Sequence, residues 1–211
     1  MSATAAPDAP TAQQHFSAEL GWITDEELRG QVSGFIDGHA PDYFWTRPAS
    51  KSGRFHPDVS RGNGGLIRHT KLVARAAREV ARAYYPLTPN SNNDVIPFYN
   101  DTLISAALMH DMFKDGDPTV PGTTYKMHGK HVMDRIGREL FEGRSDAVTN
   151  EWRYIMFMVA THMGRWTEQH PFRPSSLTDP DLRRACEMFT VADYTASWQW
   201  DQWYAAMAVA S

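Results

Sequence analysis

Six residues in this chain have the types and the order of a metal centre. His69 stands near the start of an alanine-rich segment, and the adjacent pair His110-Asp111 ends an apolar run. His128 opens an amphipathic stretch, His162 lies near the end of "YIMFMVATHMGRW", and Asp193 sits within "FTVADYTAS". Four imidazoles and two carboxylates suit a borderline transition metal such as Fe, Mn, Co, Ni or Zn, with Mg less suited to so many nitrogens. Six donors are too many for one catalytic ion that keeps open positions. They suit two ions about 3.5–4 Å apart with one carboxylate between them, able to hold a hydroxide and to clamp both oxygens of an in-line phosphoryl displacement. Asp193 has Phe189, Val191 and Ala192 close by, so burial is expected, and a buried carboxylate needs a partner such as a cation. His131 lies one helical turn from His128 and is the alternative to it. His15, His39 and His170 fit no such pattern and read as ordinary histidines.

These donors must be positioned by helices. "TDEELRGQVSGFIDGH" opens on Thr24 with Glu27 three residues on, the pattern of a capping box. "GGLIRHTKLVARAAREVARAYY" places Leu66, Val73, Ala77, Val80 and Tyr84 at helical spacing. "NDTLISAALMHDMF" offers Asn100 or Asp101 as its cap. "YKMHGKHVMDRIGRELFEG" is amphipathic and stops near Gly143. "TNEWRYIMFMVATHMGRW" is long and apolar. "TDPDLRRACEMFTVADYTAS" has Asp179 as cap and Pro180 at the first helical position. Period-two alternation is scarce, so strands are not expected. The fold class read from these signals is all-α, with one helical domain over 21–211, long loops, and a flexible tail over 1–20 rich in Ala, Pro and small polar residues.

Composition narrows the partners. The 211 residues are 42% hydrophobic and 22% charged, with a net charge of −4. Ordinary globular values permit a sizeable core. The mild acidity argues against a surface devoted to nucleic-acid backbones, so nucleic acid is the less favoured partner. A single cysteine, Cys186, excludes an internal disulfide and any cysteine-based zinc site. No apolar run approaches the ~20 residues of a membrane span, and the N-terminus lacks a secretory pattern. The expectation is a soluble, cytoplasmic protein. Lys51, Arg54 and His56 in "SKSGRFHP" are the candidate substrate-phosphate clamp, with an ordinary solvated loop as the alternative. Tyr43, Phe44, Trp45 and Phe55 could stack on a base or belong to the core.

The ordered pattern H…HD…H…H…D on successive helices resembles the HD-domain superfamily of metal-dependent phosphohydrolases. The matching phrases are "GGLIRHT", "ALMHDMFK", "HGKHVMDRI", "VATHMGRW" and "VADYTAS", spread over most of the chain. The resemblance implies that His69, His110, Asp111 and Asp193 hold a first metal. His128 and His162 would hold a second, with Asp111 bridging. Both ions would be divalent transition metals, Fe or Mn foremost. It also implies that Asp111 and Lys114 are catalytic, with Lys114 meeting a non-bridging phosphate oxygen; Arg165, one turn past His162, is placed to do the same. The substrate class implied is a small nucleotide or phosphate ester, cleaved at an ester or anhydride bond. No "GYP" motif accompanies the histidines, which speaks against the cyclic-dinucleotide branch. The stretch 47–70 also looks like the entry to the HD domain of bacterial 3′–5′ exoribonucleases. Other expectations from the same resemblance are a diiron oxygenase, an exonuclease, or a degenerate nucleotide-binding signalling domain.

Overall fold

The computed structural model describes residues 9–50, 52, 56–84, 95–122, 125–164 and 172–198. It is all-helical, with no strand among the described residues. Eight α-helices follow in order: α1 Ala12–Leu20, α2 Glu26–His39, α3 Asp42–Thr46, α4 Gly65–Tyr84, α5 Val95–Met109, α6 His128–Glu139, α7 Asn150–Thr161 and α8 Pro180–Ser197. No helix among the described residues is long and apolar enough to cross a membrane.

Helix α5 is the axis of the fold. Its second half reads "LISAALM", and Leu103, Ile104, Ala106, Ala107, Leu108 and Met109 are all fully buried. A helix apolar on every side can only be central. It packs against α4, α7 and α8, and also against α1 and α2. The alanine face of α4 (Ala74, Ala77, Ala81) lets that helix approach closely.

Several local expectations are corrected. The flexible tail does not extend to residue 20. Thr11 caps α1 by accepting from the Gln14 N–H, while Gln14 Oε1 accepts from the Thr11 N–H, a reciprocal capping box. Ala12, Phe16 and Leu20 of α1 are buried in the common core. Phe16→Ala is expected to cost about 3–5 kcal/mol of stability, the range for deleting a buried phenyl ring. Urea denaturation measures it, and a change below about 1 kcal/mol would restore the tail reading.

The cap of α2 is Asp25, not Thr24: the Asp25 carboxylate accepts from the Leu28 N–H. Thr24 instead gives both its N–H and its hydroxyl to Asp101, which also accepts from the Asp25 N–H. Asn100 and Asp101 therefore do not cap their own helix, which begins earlier, at Val95. They reach across to satisfy the start of α2, and Asn100 Nδ2 donates to the Trp22 carbonyl. Helix α6 ends at Glu139, short of Gly143; Glu142 and Gly143 both take positive φ, and the Gly143 N–H returns to the Gly137 carbonyl. Phe44 and Trp45 are core residues beside Phe16. Phe55 lies outside the described residues. The Asp179–Pro180 start of α8 is as expected from its sequence.

Candidate metal centre

Each donor is delivered by a helix end or a helix face. Helix α4 begins in a tight place: a Cβ on Gly65 would lie 2.2 Å from the Ser60 carbonyl oxygen. Gly64 takes φ +69°, a left-handed conformation open to glycine without strain. The Leu66 N–H then donates to the Arg47 carbonyl, which fixes the first turn of α4 and brings His69 into the interior. His110 and Asp111 follow the last residue of α5. The hydrogen-bonded turns Met112 to Met109 and Lys114 to Asp111 wrap the chain so that both side chains face inward. His128 opens α6, His162 caps the C-terminus of α7, and Asp193 comes from the inner side of α8.

The six candidate ligands meet in one place, and Asp111 is the hinge of the arrangement. Its Oδ2 lies 3.5 Å from His69 Nε2 and 3.4 Å from His110 Nε2. Its Oδ1 lies 2.9 Å from His128 Nε2 and 3.6 Å from His162 Nε2. Asp193 Oδ1 closes the first half, 3.2 Å from His69 Nε2 and 3.9 Å from His110 Nε2. His128 and His162 approach Nε2 to Nε2 at 2.9 Å. The four imidazoles and Asp111 are buried, while Asp193 keeps 13% of its side-chain surface. His131 joins no group of candidate ligands among the described residues, although it is one turn from His128.

The donor set fits a cation. His110 Nδ1–H donates to the Ala107 carbonyl at 2.8 Å, and His162 Nδ1–H donates to the Val159 carbonyl at 2.7 Å. A carbonyl can only accept, so each Nδ1 carries the proton and, in the neutral ring, each Nε2 presents a lone pair to the cluster. Such outer hydrogen bonds fix tautomer and ring angle in metal-ligating histidines. Converging lone pairs and two carboxylates inside a protein repel one another unless a positive charge lies among them. These buried groups can hold a metal ion.

Local electrostatics agree. Burial alone would raise the Asp111 carboxyl, but the Lys114 ammonium, the neighbouring His110 and the hydrogen bond from His128 outweigh it and hold it well below the usual carboxylate range. Burial also opposes ionisation of Asp193, yet the hydrogen bond from His69 and nearby imidazoles hold its carboxyl low as well. His69 is pushed down by burial, against the pull of Asp193. His56 is pushed down to about 3, by burial first and then by His69 and Lys114.

A pH prediction follows from those directions. Both histidines have folded-state values below the ordinary 6.5, so the unfolded chain binds more protons as pH falls beneath it. With metals chelated, stability should drop on acidification below about pH 6.5, by up to roughly 1.4 kcal/mol per pH unit for His56, with His69 adding in the same direction. The depressed Asp111 and Asp193 add their loss only below about pH 4. Urea midpoints across this range read the slope, and His56→Gln should reduce it. A midpoint flat from neutrality to about pH 5 would contradict the burial of these rings.

A cavity of about 420 Å³ opens beside the cluster, lined by residues that include Tyr43, Arg47, Ser50, His56, Leu66 and Lys114. Lys114 Nζ lies 2.5 Å from Asp111 Oδ2, and the His56 ring stands edge-on to His69 with centroids 4.6 Å apart. Lys114 and His56 are thus brought to the site. Lys51, Arg54 and Arg165 lie outside the described residues. Sequence reasoning missed Arg47, one cation among 21 Lys and Arg, which no local pattern singles out. It also missed the buried clamp in which Arg135 Nη2 donates to both oxygens of Asp117 at 2.7 Å, tying the segment after His110-Asp111 to α6. The run "KDGD" and the basic face of α6 were the available signals.

Fold and site together define an all-α protein with a buried histidine–aspartate cluster able to hold a metal. Comparison with protein-family models, with curated proteins and with solved structures gives no match for this chain.

Proposed function

We propose that this chain is a metal-dependent phosphohydrolase of the HD type that cleaves a phosphate ester or anhydride bond in a nucleotide-type substrate. One observation carries the reading: the two oxygens of a single buried carboxylate, Asp111, face two different pairs of imidazoles. On this reading His69, His110, Asp111 and Asp193 hold one divalent ion, and His128, His162 and Asp111 hold a second. Mixed imidazole and carboxylate donors suit Fe, Mn, Co, Ni or Zn, with Mg less suited, and the family resemblance puts Fe or Mn foremost. Paired ions supply Lewis acidity and a water of lowered pKa, the standard means of hydrolysing phosphate esters at neutral pH.

The chain's own residues do the rest. Asp111 orients both halves of the cluster through its two oxygens. Lys114, held beside Asp111 and lining the cavity, sets a positive charge where a non-bridging phosphate oxygen would sit and stabilises charge that grows there. His56 is neutral at physiological pH, so it offers a hydrogen bond to substrate rather than a charge. A cavity of about 420 Å³ falls within the usual range for small-molecule sites. Lys51, Arg54 and Arg165 remain candidates for further phosphate contacts.

Elemental analysis of the purified protein, with turnover in added Mn²⁺, tests the reading. The substrate panel holds nucleoside mono-, di- and triphosphates, cyclic mono- and dinucleotides, dinucleoside polyphosphates and labelled RNA and DNA. Near two metals per chain with one small phosphate cleaved is the expected result. Two irons with oxygen consumption and no phosphate release would replace it with a diiron oxygenase. Trimming of labelled RNA alone would make it an exonuclease. No metal and no turnover would leave a nucleotide-binding domain.

A further inference from the structure

The cavity wall carries a cation that the metal-centre reading does not use. Arg47 follows α3, and its backbone is fixed twice. Its N–H donates to the Tyr43 carbonyl at 2.9 Å, and its carbonyl accepts the Leu66 N–H at 2.8 Å, three residues before His69. The segment that seats the first candidate ligand therefore also seats Arg47. The Tyr43 hydroxyl donates to the Gly116 carbonyl at 2.6 Å, which ties α3 to the loop that carries Lys114 and Asp115. Asp115 faces Arg47 Nε at 3.4 Å, and the arginine side chain stays about half exposed. Arg47 lines the same cavity as Lys114 and His56.

A half-exposed guanidinium on a cavity wall, with Nε beside Asp115, has a planar fork of donors that suits a bidentate oxyanion such as phosphate. Lys114 is already committed beside Asp111, at the cluster. Arg47 sits on the wall as a second anion-binding point. We propose that Arg47 binds a second phosphate group of the substrate, so that the site selects a small molecule with a di- or triphosphate chain over a monophosphate. This rests on the phosphohydrolase reading for the position of the first phosphate. Arg47 is a specificity-determining residue here, and the bond-breaking chemistry does not pass through it.

The test uses the full chain loaded with Mn²⁺ and two probes, inorganic pyrophosphate and orthophosphate, titrated calorimetrically into wild type, Arg47→Ala and Arg47→Lys. The backbone bonds of Arg47 survive both substitutions, Arg47→Ala removes only the half-exposed ion pair with Asp115, and metal content checks the fold. Wild type should bind pyrophosphate about tenfold or more tighter than orthophosphate, the scale of one or two charge-assisted hydrogen bonds. Arg47→Ala should remove that preference while orthophosphate binding holds within about twofold, and Arg47→Lys should restore part of it. An unchanged preference in Arg47→Ala, or an equal weakening of both anions, would overturn the assignment. Failure of the hydrolase reading shows differently: wild type would cleave no member of the nucleotide panel, whatever Arg47 does to pyrophosphate binding. If hydrolysis is found, Arg47→Ala should raise KM for di- and triphosphates and leave KM for monophosphates unchanged.

Discussion

Asp111→Asn is expected to strip metal from both halves of the cluster at once and to lower kcat by more than about 10²–10³-fold, the scale for removing one preorganised electrostatic group. The amide is close in shape to the carboxylate, so the cavity and the packing around α5 survive. What it lacks is the negative charge that Oδ2 presents to His69 and His110 and that Oδ1 presents to His128 and His162. It also releases Lys114, whose side chain is partly exposed and can turn to water. His162→Ala is the informative contrast, because on the proposed assignment it removes a donor from the second half only and should leave metal bound near His69. Metal-to-protein ratios, with circular dichroism to confirm helicity, distinguish the two variants. Wild-type metal content in Asp111→Asn would end the bridging role assigned to this carboxylate.

Gly129→Ala should be nearly as damaging, although glycine-to-alanine changes inside helices usually help. A Cβ at Gly129 would lie 2.3 Å from the Val159 carbonyl oxygen and 3.0 Å from His162 Nδ1. The first contact is with backbone, which cannot swing aside. The second strikes the nitrogen that donates to that same carbonyl at 2.7 Å, so it disturbs the bond that orients the His162 ring. Overpacking of this kind costs about 1–3 kcal/mol. Loss of the orienting bond should weaken metal binding at the His128–His162 half by about 10–100-fold. Gly137 on the same helix is the control: a Cβ there meets only the end of Met156, at 3.7 Å. Gly137→Ala should therefore stabilise the protein by roughly 0.5–1 kcal/mol and leave metal binding untouched. Equal behaviour of the two alanine variants would mean that α6 does not pack on α7 as described.

The pair explains in physical terms why "HG" opens α6: the histidine supplies a donor and the glycine supplies the clearance for its partner. The same logic applies to "GGL" before His69, where Gly65 passes against the Ser60 carbonyl. In the sequence both phrases were only patterns. Close approach of two backbones has no one-dimensional signature beyond the glycine itself, so the reason for the glycine appears only when the facing segment is known.

Most of the helices and the roll of candidate donors were legible in the residues alone. Apolar residues at the 3.6-residue period marked α4 and α6, the Asp179–Pro180 start marked α8, and the order of His69, His110, Asp111, His128, His162 and Asp193 marked a candidate metal centre. These are local properties, written in propensities, caps and residue type. The capping box of Thr11 and Gln14 was equally local and equally legible, and the alanine- and proline-rich surroundings hid it. Packing between distant segments settled the rest. It chose His128 over His131 for the cluster, since two residues one turn apart share a helix face and their distance from Asp111 depends on how α6 sits. It turned Asn100 and Asp101 away from their own helix to hold the segment that leads into α2, because a partner more than seventy residues away in sequence outcompeted the local one. It placed the two oxygens of Asp111 between two pairs of imidazoles and set Arg47 on the wall of the cavity. Each of these is a statement about where separate segments meet, and the packing of α5 among its neighbours settles that, not the residues of any one segment.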